Sequence, residues 1–338
     1  MPSIYDVARE AQVSIATVSR VFRGTAPVSA EVRERVLTVA SALGYRPNRV
    51  ARALAEGKTR ALGLMLPTDM SNPFYGQVAQ HVARCARAHG HDVAIGLPAD
   101  DTTEGFVEAA MSLEERQVDG LLLCATRARV DAHAARRTPG ACPVVAVGCH
   151  PSAEVPMVAP DRESAGYDLT RHLVELGHRD IGFLCSERPI LEPGVRSRAH
   201  GYARAMEAAG LPPFLWPGEG TLEGGYDAIR PLLGTHGDVT ALIAVNDAAA
   251  LGALRALHEL GLSVPADLSI AGFDNVPQSR YSVPSLTTVD MPVAEIAERA
   301  VSLLIALLGQ GADQSEAARV IVRPHVVIRD STAPPRPR

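Results

Sequence analysis

Ser14, Thr17 and Arg20 stand three residues apart, two hydroxyls and a guanidinium on one short stretch. Hydroxyls in such an array donate to phosphate oxygens, and a guanidinium forks onto the O6 and N7 acceptors of guanine. Ile15, Ala16 and Ser19 share that stretch, and Arg23 extends it. A second set is spread along the rest of the chain: Asp69, Phe74 and Tyr75, then Arg196 and Arg198, then Asn246 and Asp274. Planar arginine forks and carboxylates grip vicinal hydroxyls, and an aromatic ring covers an apolar ring face. The first set suits a nucleic-acid duplex and the second a small polar ligand.

Catalytic patterns are missing. The sequence has no Gly-x-Ser-x-Gly, no Gly-x-Gly-x-x-Gly and no His-Glu-x-x-His, so no enzyme activity, cofactor or metal is expected. Gly57-Lys58-Thr59 looks like the end of a phosphate-binding loop, but Arg52 stands where its first glycine belongs and no strand precedes it. The five cysteines are odd in number and scattered, with no Cys-x-x-Cys pair. That usage fits buried free thiols in a reducing compartment. The N-terminus has no basic and apolar leader, and no apolar run reaches membrane-spanning length, so a cytoplasmic chain with no membrane partner is expected.

These side chains need elements to position them. At 338 residues the chain exceeds one ordinary domain, and 46% hydrophobic content can bury a large core. Its net charge of −5 divides sharply: residues 1–60 carry ten basic and five acidic side chains, so the remainder holds a net −10. A basic head on an acidic body concentrates nucleic-acid attraction in one module. In that head Ser3 caps a helix over about 4–11, with Asp6 as its reciprocal partner. Ser14 caps a second helix over about 15–22, and Val28-Ser29 starts a third with Val32, Val36, Val39, Ala40 and Leu43 as its buried stripe. Gly44 ends it. The spacing predicts a helix-turn-helix with the Ser14–Arg20 array at the exposed start of the second helix.

Ile4-Tyr5-Asp6-Val7-Ala8-Arg9-Glu10-Ala11, Val13–Val21 and Gly44–Leu54 resemble the head, third-helix exit and hinge of the lactose-repressor (LacI/GalR) family. The resemblance implies that the hinge helix enters the minor groove, with Asn48 and Ala51 at the DNA and Leu54 as an apolar wedge. Gln12 departs from the family's usual turn glycine and must accept a left-handed or near-left-handed backbone.

From Ala61 onward strand-like runs alternate with helical segments, which predicts an α/β body of two doubly wound parallel-sheet lobes. The expected division is a head over 1–46, a hinge and linker over 47–60, a body over 61–332 and a flexible tail over 333–338. The N-lobe is expected at about 61–160 and 290–320, the C-lobe at about 161–289 and 321–332. Asn72-Pro73-Phe74-Tyr75, Asn246-Asp247, Gly272-Phe273-Asp274 and Pro284–Val289 resemble the same family's sensor, which shares its fold with periplasmic sugar-binding proteins. The resemblance assigns effector contact to Arg196 or Arg198, Asn246 and Asp274. Asp69, Phe74 and Tyr75 follow the first strand, where ligands of such folds lie. Sugar-binding relatives often carry Asp where this chain has Gly148, which leaves room for an acidic or modified sugar. The expected protein is an allosteric repressor that reads a pseudo-palindromic duplex operator as a homodimer, under control of a sugar or sugar derivative. A regulator activated by a non-sugar co-repressor and a solute-binding protein remain the alternatives.

Overall fold

The structure, a computed structural model, describes residues 2–23, 27–46, 58–68, 70, 72–116, 118–138, 140–152, 154–185, 197–310 and 318–337. The chain divides into two compact units, Met1–Arg60 and Ala61–Arg338.

In the first unit, α1 (Ile4–Glu10), α2 (Ile15–Arg23) and α3 (Ala30–Ala42) enclose a small core. Ser3 and Asp6 cap α1 reciprocally, satisfying two amide groups that a helix start leaves open. Val7 and Ala11 meet Val18 of α2 and Val36 of α3, all fully buried. Gln12, in the turn, takes φ 52, the left-handed backbone expected of it. Leu43 departs from the predicted stripe. It caps α3 and is 36% exposed. The chain reverses at Gly44 (φ 64), and Tyr45 packs edge-on against Phe22 instead, at 5.7 Å between ring centroids.

The second unit begins with β1 (Ala61–Met65), α4 (Pro73–Ala88), β2 (Asp92–Gly96), α5 (Thr103–Glu115), β3 (Gly120–Cys124), α6 (Arg127–Arg136), β4 (Val144–Val147) and β5 (Met157–Pro160). It continues with α7 (Arg162–Glu175), β6 (Ile181–Cys185), α8 (Arg198–Ala208), β7 (Phe214–Pro217), α9 (Leu222–Thr235), β8 (Ala241–Ala244) and α10 (Asp247–Glu259). Then follow β9 (Ser269–Ala271), α11 (Pro277–Tyr281), β10 (Thr288–Asp290), α12 (Val293–Gln310), β11 (Arg319–Val322) and β12 (His325–Val327). A six-stranded sheet has the order β11-β5-β4-β3-β1-β2 and a four-stranded sheet the order β7-β6-β8-β9. Every pair in both is parallel. Strands such as β3, β4 and β6 are buried along their whole length, as strands covered by helices on both faces must be. Among the described residues no helix is long and apolar enough to cross a membrane.

The chain passes between the sheets three times, after β5, after β10 and after β11, and β10 pairs antiparallel with β12 beside these crossings. The last crossing lies slightly later than expected. β11 stays in register with β5 through Val322, opposite Pro160, so residues 321 and 322 belong to the first lobe's sheet.

The tail also differs from expectation. Residues 333–337 are packed on the second lobe: the Ala333 amide donates to Ser269 Oγ, its carbonyl lies 2.9 Å from His178 Nε2, and Arg336 pairs with Asp267 at 2.6 Å. A proline-rich extended segment has few backbone groups to satisfy, and these contacts hold it.

α7 and α8 cross in direct backbone contact. A Cβ on Gly166 would overlap the Arg198 carbonyl, and one on Gly201 would overlap that of Glu163. The first residues of the two helices, Arg162 and Arg198, are therefore brought to the same place, the gap between the lobes.

Candidate functional site

The head presents its polar array as the spacing predicts. Ser14 caps α2, accepting from the Thr17 amide at 3.1 Å and lying 2.9 Å from the Thr17 hydroxyl. Ser14, Ile15, Ala16 and Arg20 are exposed, while Thr17 and Ser19 are half-buried. Val18 and Val21 turn inward to the core, so the periodicity that buries one face leaves the array outside. The side chain of Arg23, and Asn48, Ala51 and Leu54 in the hinge, lie outside the described residues.

The body holds a cavity of ≈ 470 Å³ between its lobes. Phe74 and Tyr75 form one wall, and Phe183 of the second lobe adds a further ring. Asn72 sets the first two. It accepts from the Phe74 amide at 3.0 Å, with Pro73 in the first turn. Burial pushes the Tyr75 phenol up to about 12, so it faces the cavity as a neutral hydroxyl. Cys124 and Cys149 also line the space, and burial pushes them up to about 11 and about 12. They are protonated, unreactive thiols at neutral pH.

Arg198 enters from the start of α8. Its Nη2 donates to Asp274 Oδ1 at 2.7 Å and its Nη1 to the Val245 carbonyl at 2.8 Å, with the guanidinium 4.9 Å from the centre of the Phe273 ring. Its Nε is buried with no hydrogen-bond partner, and Nη1 and Nη2 each keep a second N–H beyond these two bonds. Asp274 is 4% exposed and takes φ 103, a backbone strained for any residue but glycine.

The structure gathers Phe74, Tyr75 and Arg198 on the cavity wall and places two other expected contacts behind it. Asp274 lies under Arg198, where it also accepts from Asn72 Nδ2 at 3.4 Å. Asn246 caps α10 by accepting from the Ala249 amide at 2.9 Å, and its amide nitrogen donates to the Gly220 carbonyl at 2.7 Å. An asparagine that ends a strand and starts a helix satisfies the helix amides first. Asp69 and Arg196 lie outside the described residues. Arg162, Arg127, Arg129, Thr126 and His150 line the cavity without having been singled out from the sequence. Their signal is position: all follow strands, but β5 is four residues ending in proline and shows no period, which hides Arg162.

Behind Asp274, Asp247 is fully buried and accepts from the Val276 amide and the Ser279 and Thr288 hydroxyls. Burial first, and the Asp274 carboxylate second, push its pKa up to about 7 against those donors. A carboxyl raised in the folded state favours folding when protonated. Its contribution is complete below the unfolded value near 3.8 and is lost as pH rises through about 7. Measured by thermal unfolding, wild type should therefore lose stability relative to Asp247→Asn between about pH 4 and pH 7. A difference constant across that range would show that Asp247 is ionised throughout.

A helix-turn-helix unit carried on a two-lobed parallel α/β body with an interlobe cleft defines a DNA-binding transcriptional regulator built around a small-molecule-binding fold. Residues 3–48 match the model for bacterial regulatory proteins of the lacI family, and residues 170–332 match that for the periplasmic binding protein-like domain. The chain is 34% identical to Catabolite control protein A of Priestia megaterium, covering 98% of this chain and 99% of that one. Its structure is similar to the lac repressor dimer bound to operator and the anti-inducer ONPF, with TM-score 0.85, 27% identity and coverage of 98% and 99%. It is also similar to the transcriptional regulator CelR in complex with cellobiose, with TM-score 0.69, 26% identity and coverage of 98% and 100%. The chain belongs to the lacI family of bacterial regulatory proteins.

Proposed function

We propose that this regulator is a repressor that binds a pseudo-palindromic operator as a homodimer and is controlled by a small carbohydrate-like effector in the interlobe cavity. The observation that carries the reading is the cavity itself. Its ≈ 470 Å³ falls within the usual range for small-ligand sites, and an aromatic wall stands beside hydrogen-bonding side chains. The likeness to an operator-bound repressor dimer and to a cellobiose complex supports the same reading. Phe74 and Tyr75 would cover a ring face, and Arg198 would donate to hydroxyls through the N–H groups that Asp274 and Val245 leave free. Asp274 acts by holding Arg198, and Asn246 by holding the start of α10. Asp69 keeps its assignment as an effector contact on its position after the first strand, and Arg196 on the family resemblance, as the alternative to Arg198.

Control requires the effector to favour one arrangement of the lobes over another. Ala61 opens β1 directly after the linker, so displacement of that strand is transmitted through the covalent chain to the hinge. There Asn48, Ala51 and the Leu54 wedge engage the minor groove. Changing the operator from almost wholly bound to almost wholly free needs a differential affinity of about 5.5 kcal/mol.

Fluorescence-anisotropy titration on DNA from the gene's own upstream region, with and without sugars and sugar acids, tests this. Salt-dependent binding reversed by one compound is expected. Binding indifferent to every compound would remove the carbohydrate effector, and no salt-dependent binding would remove the operator. In the same assay Arg20→Ala should cost roughly 1–3 kcal/mol and relax base preference at one operator position. An unchanged sequence profile would take Arg20 out of the base-reading set.

A further inference from the structure

The cavity is lopsided in charge. Arg127, Arg129, Arg162 and Arg198 line it, and among the described lining residues there is no aspartate or glutamate. Two of the four are neutralised from behind: Arg129 by Asp101 at 2.6 Å and Arg198 by Asp274 at 2.7 Å. Arg127 is exposed to solvent. Arg162 is different. Its Nε is buried without a hydrogen-bond partner, and among the described residues no ion pair reaches its guanidinium. The nearest carboxylates in sequence are engaged elsewhere, Asp161 in capping α7 and Glu163 on Arg204.

The guanidinium points into the ligand space. Its charge acts on Tyr75, Cys124 and Cys149, which come from three different elements and all line the cavity. Its Nη2 would lie 3.5 Å from a Cβ built on Gly148, with nothing else within 4 Å of that point. A guanidinium cannot deprotonate, and in a confined apolar site its charge is costly until an anion meets it. The fork geometry matches a carboxylate or a phosphate.

We propose that the effector is an anion, bearing a carboxylate or a phosphate, whose charged group sits on Arg162 while its skeleton lies against Phe74 and Tyr75. This rests on the cavity being the effector site. Thr126, which heads α6 without using its hydroxyl as a cap, adds a free donor on the opposite lobe. An anion there would contact both lobes, as an effector that sets their relative arrangement must.

Two experiments on the full chain test this. In the first, crystals grown without polyvalent anions are soaked in selenate. An anomalous peak at the Arg162 guanidinium is expected, and its absence from wild type would overturn the proposal. Arg162→Met, and separately Gly148→Asp, which sets a carboxylate beside the guanidinium on a backbone of φ 81 that strains any side chain, should each remove the peak. A peak unchanged in both variants would also overturn it.

The second is calorimetry with matched ligands: glucose, glucuronate and glucose 6-phosphate. One charged member should bind roughly ten- to a hundredfold tighter than glucose, with an affinity that falls as salt rises. Which one does so separates a sugar acid from a sugar phosphate. Glucose binding as tightly as its charged partners would overturn the anion while sustaining the carbohydrate reading. A selenate peak with no sugar bound would sustain the anion and count against the carbohydrate.

Discussion

Asp274→Ala is expected to destabilise the body by about 3–5 kcal/mol, the cost of stripping one partner from a buried ion pair. Arg198 keeps its charge at any accessible pH, so removing the carboxylate 2.7 Å away leaves that charge with only the Val245 carbonyl and the Phe273 ring. One effect works the other way. Asp274 helps to raise Asp247, and its removal relieves that repulsion, which places the expected cost toward the lower end of the range. Alanine would not relieve the backbone either, because φ 103 disfavours it at least as much as aspartate. Urea unfolding of Asp274→Ala, Arg198→Met and the double variant should show the double far less destabilised than the sum of the singles. The fall in stability between pH 4 and 7 should also shrink in Asp274→Ala. Additive losses would mean that the pair is not the unit of stabilisation.

Gly201→Ala should cost about 3 kcal/mol, the upper end of what overpacking usually costs. The added methyl meets the Glu163 carbonyl and the Tyr167 amide, both backbone atoms of α7. A side chain could rotate away, whereas here two helices must separate. Because Arg162 and Arg198 open those helices, separation also displaces the cavity's main donors. Gly234→Ala is the matching control. Nothing lies within 4 Å of its added Cβ inside α9, and alanine there should stabilise by up to about 1 kcal/mol. Equal unfolding midpoints for the two variants would show that the α7–α8 crossing yields without cost.

Much of the head was legible because its signals are local. Ser3 with Asp6, Ser14 at the start of α2 and Gly44 after α3 each act within four residues of themselves. The same holds for the valines that turn inward while Arg20 stays out. In the body, the fully apolar β3 and β6 stood out, but β5 and β7 did not. Each is four residues long and ends in proline, too short for a period to show. The long α12 was likewise not read, although it packs on the first lobe. The predicted flexible tail failed for a related reason: what holds residues 333–337 is a surface built from His178, Ser269 and Asp267, far away in sequence.

Signals between neighbouring residues were enough to place the class of protein. Helix caps, hydrophobic periods and the division of charge between head and body are properties of neighbouring residues, and they carry the helix-turn-helix and the alternating α/β body. Family resemblance points to Arg196 or Arg198, Asn246 and Asp274 as effector contacts, and position after the first strand adds Asp69, Phe74 and Tyr75. Their surroundings come from distant segments of the folded chain. Folding set Asn246 to cap α10, placed Asp274 beneath Arg198, and brought Arg162 through the Gly166–Gly201 crossing to a wall with no carboxylate among its described residues. Whether a charge is free or neutralised depends on which group stands within a few ångströms of it, and for Arg198 that group comes from a segment 76 residues away.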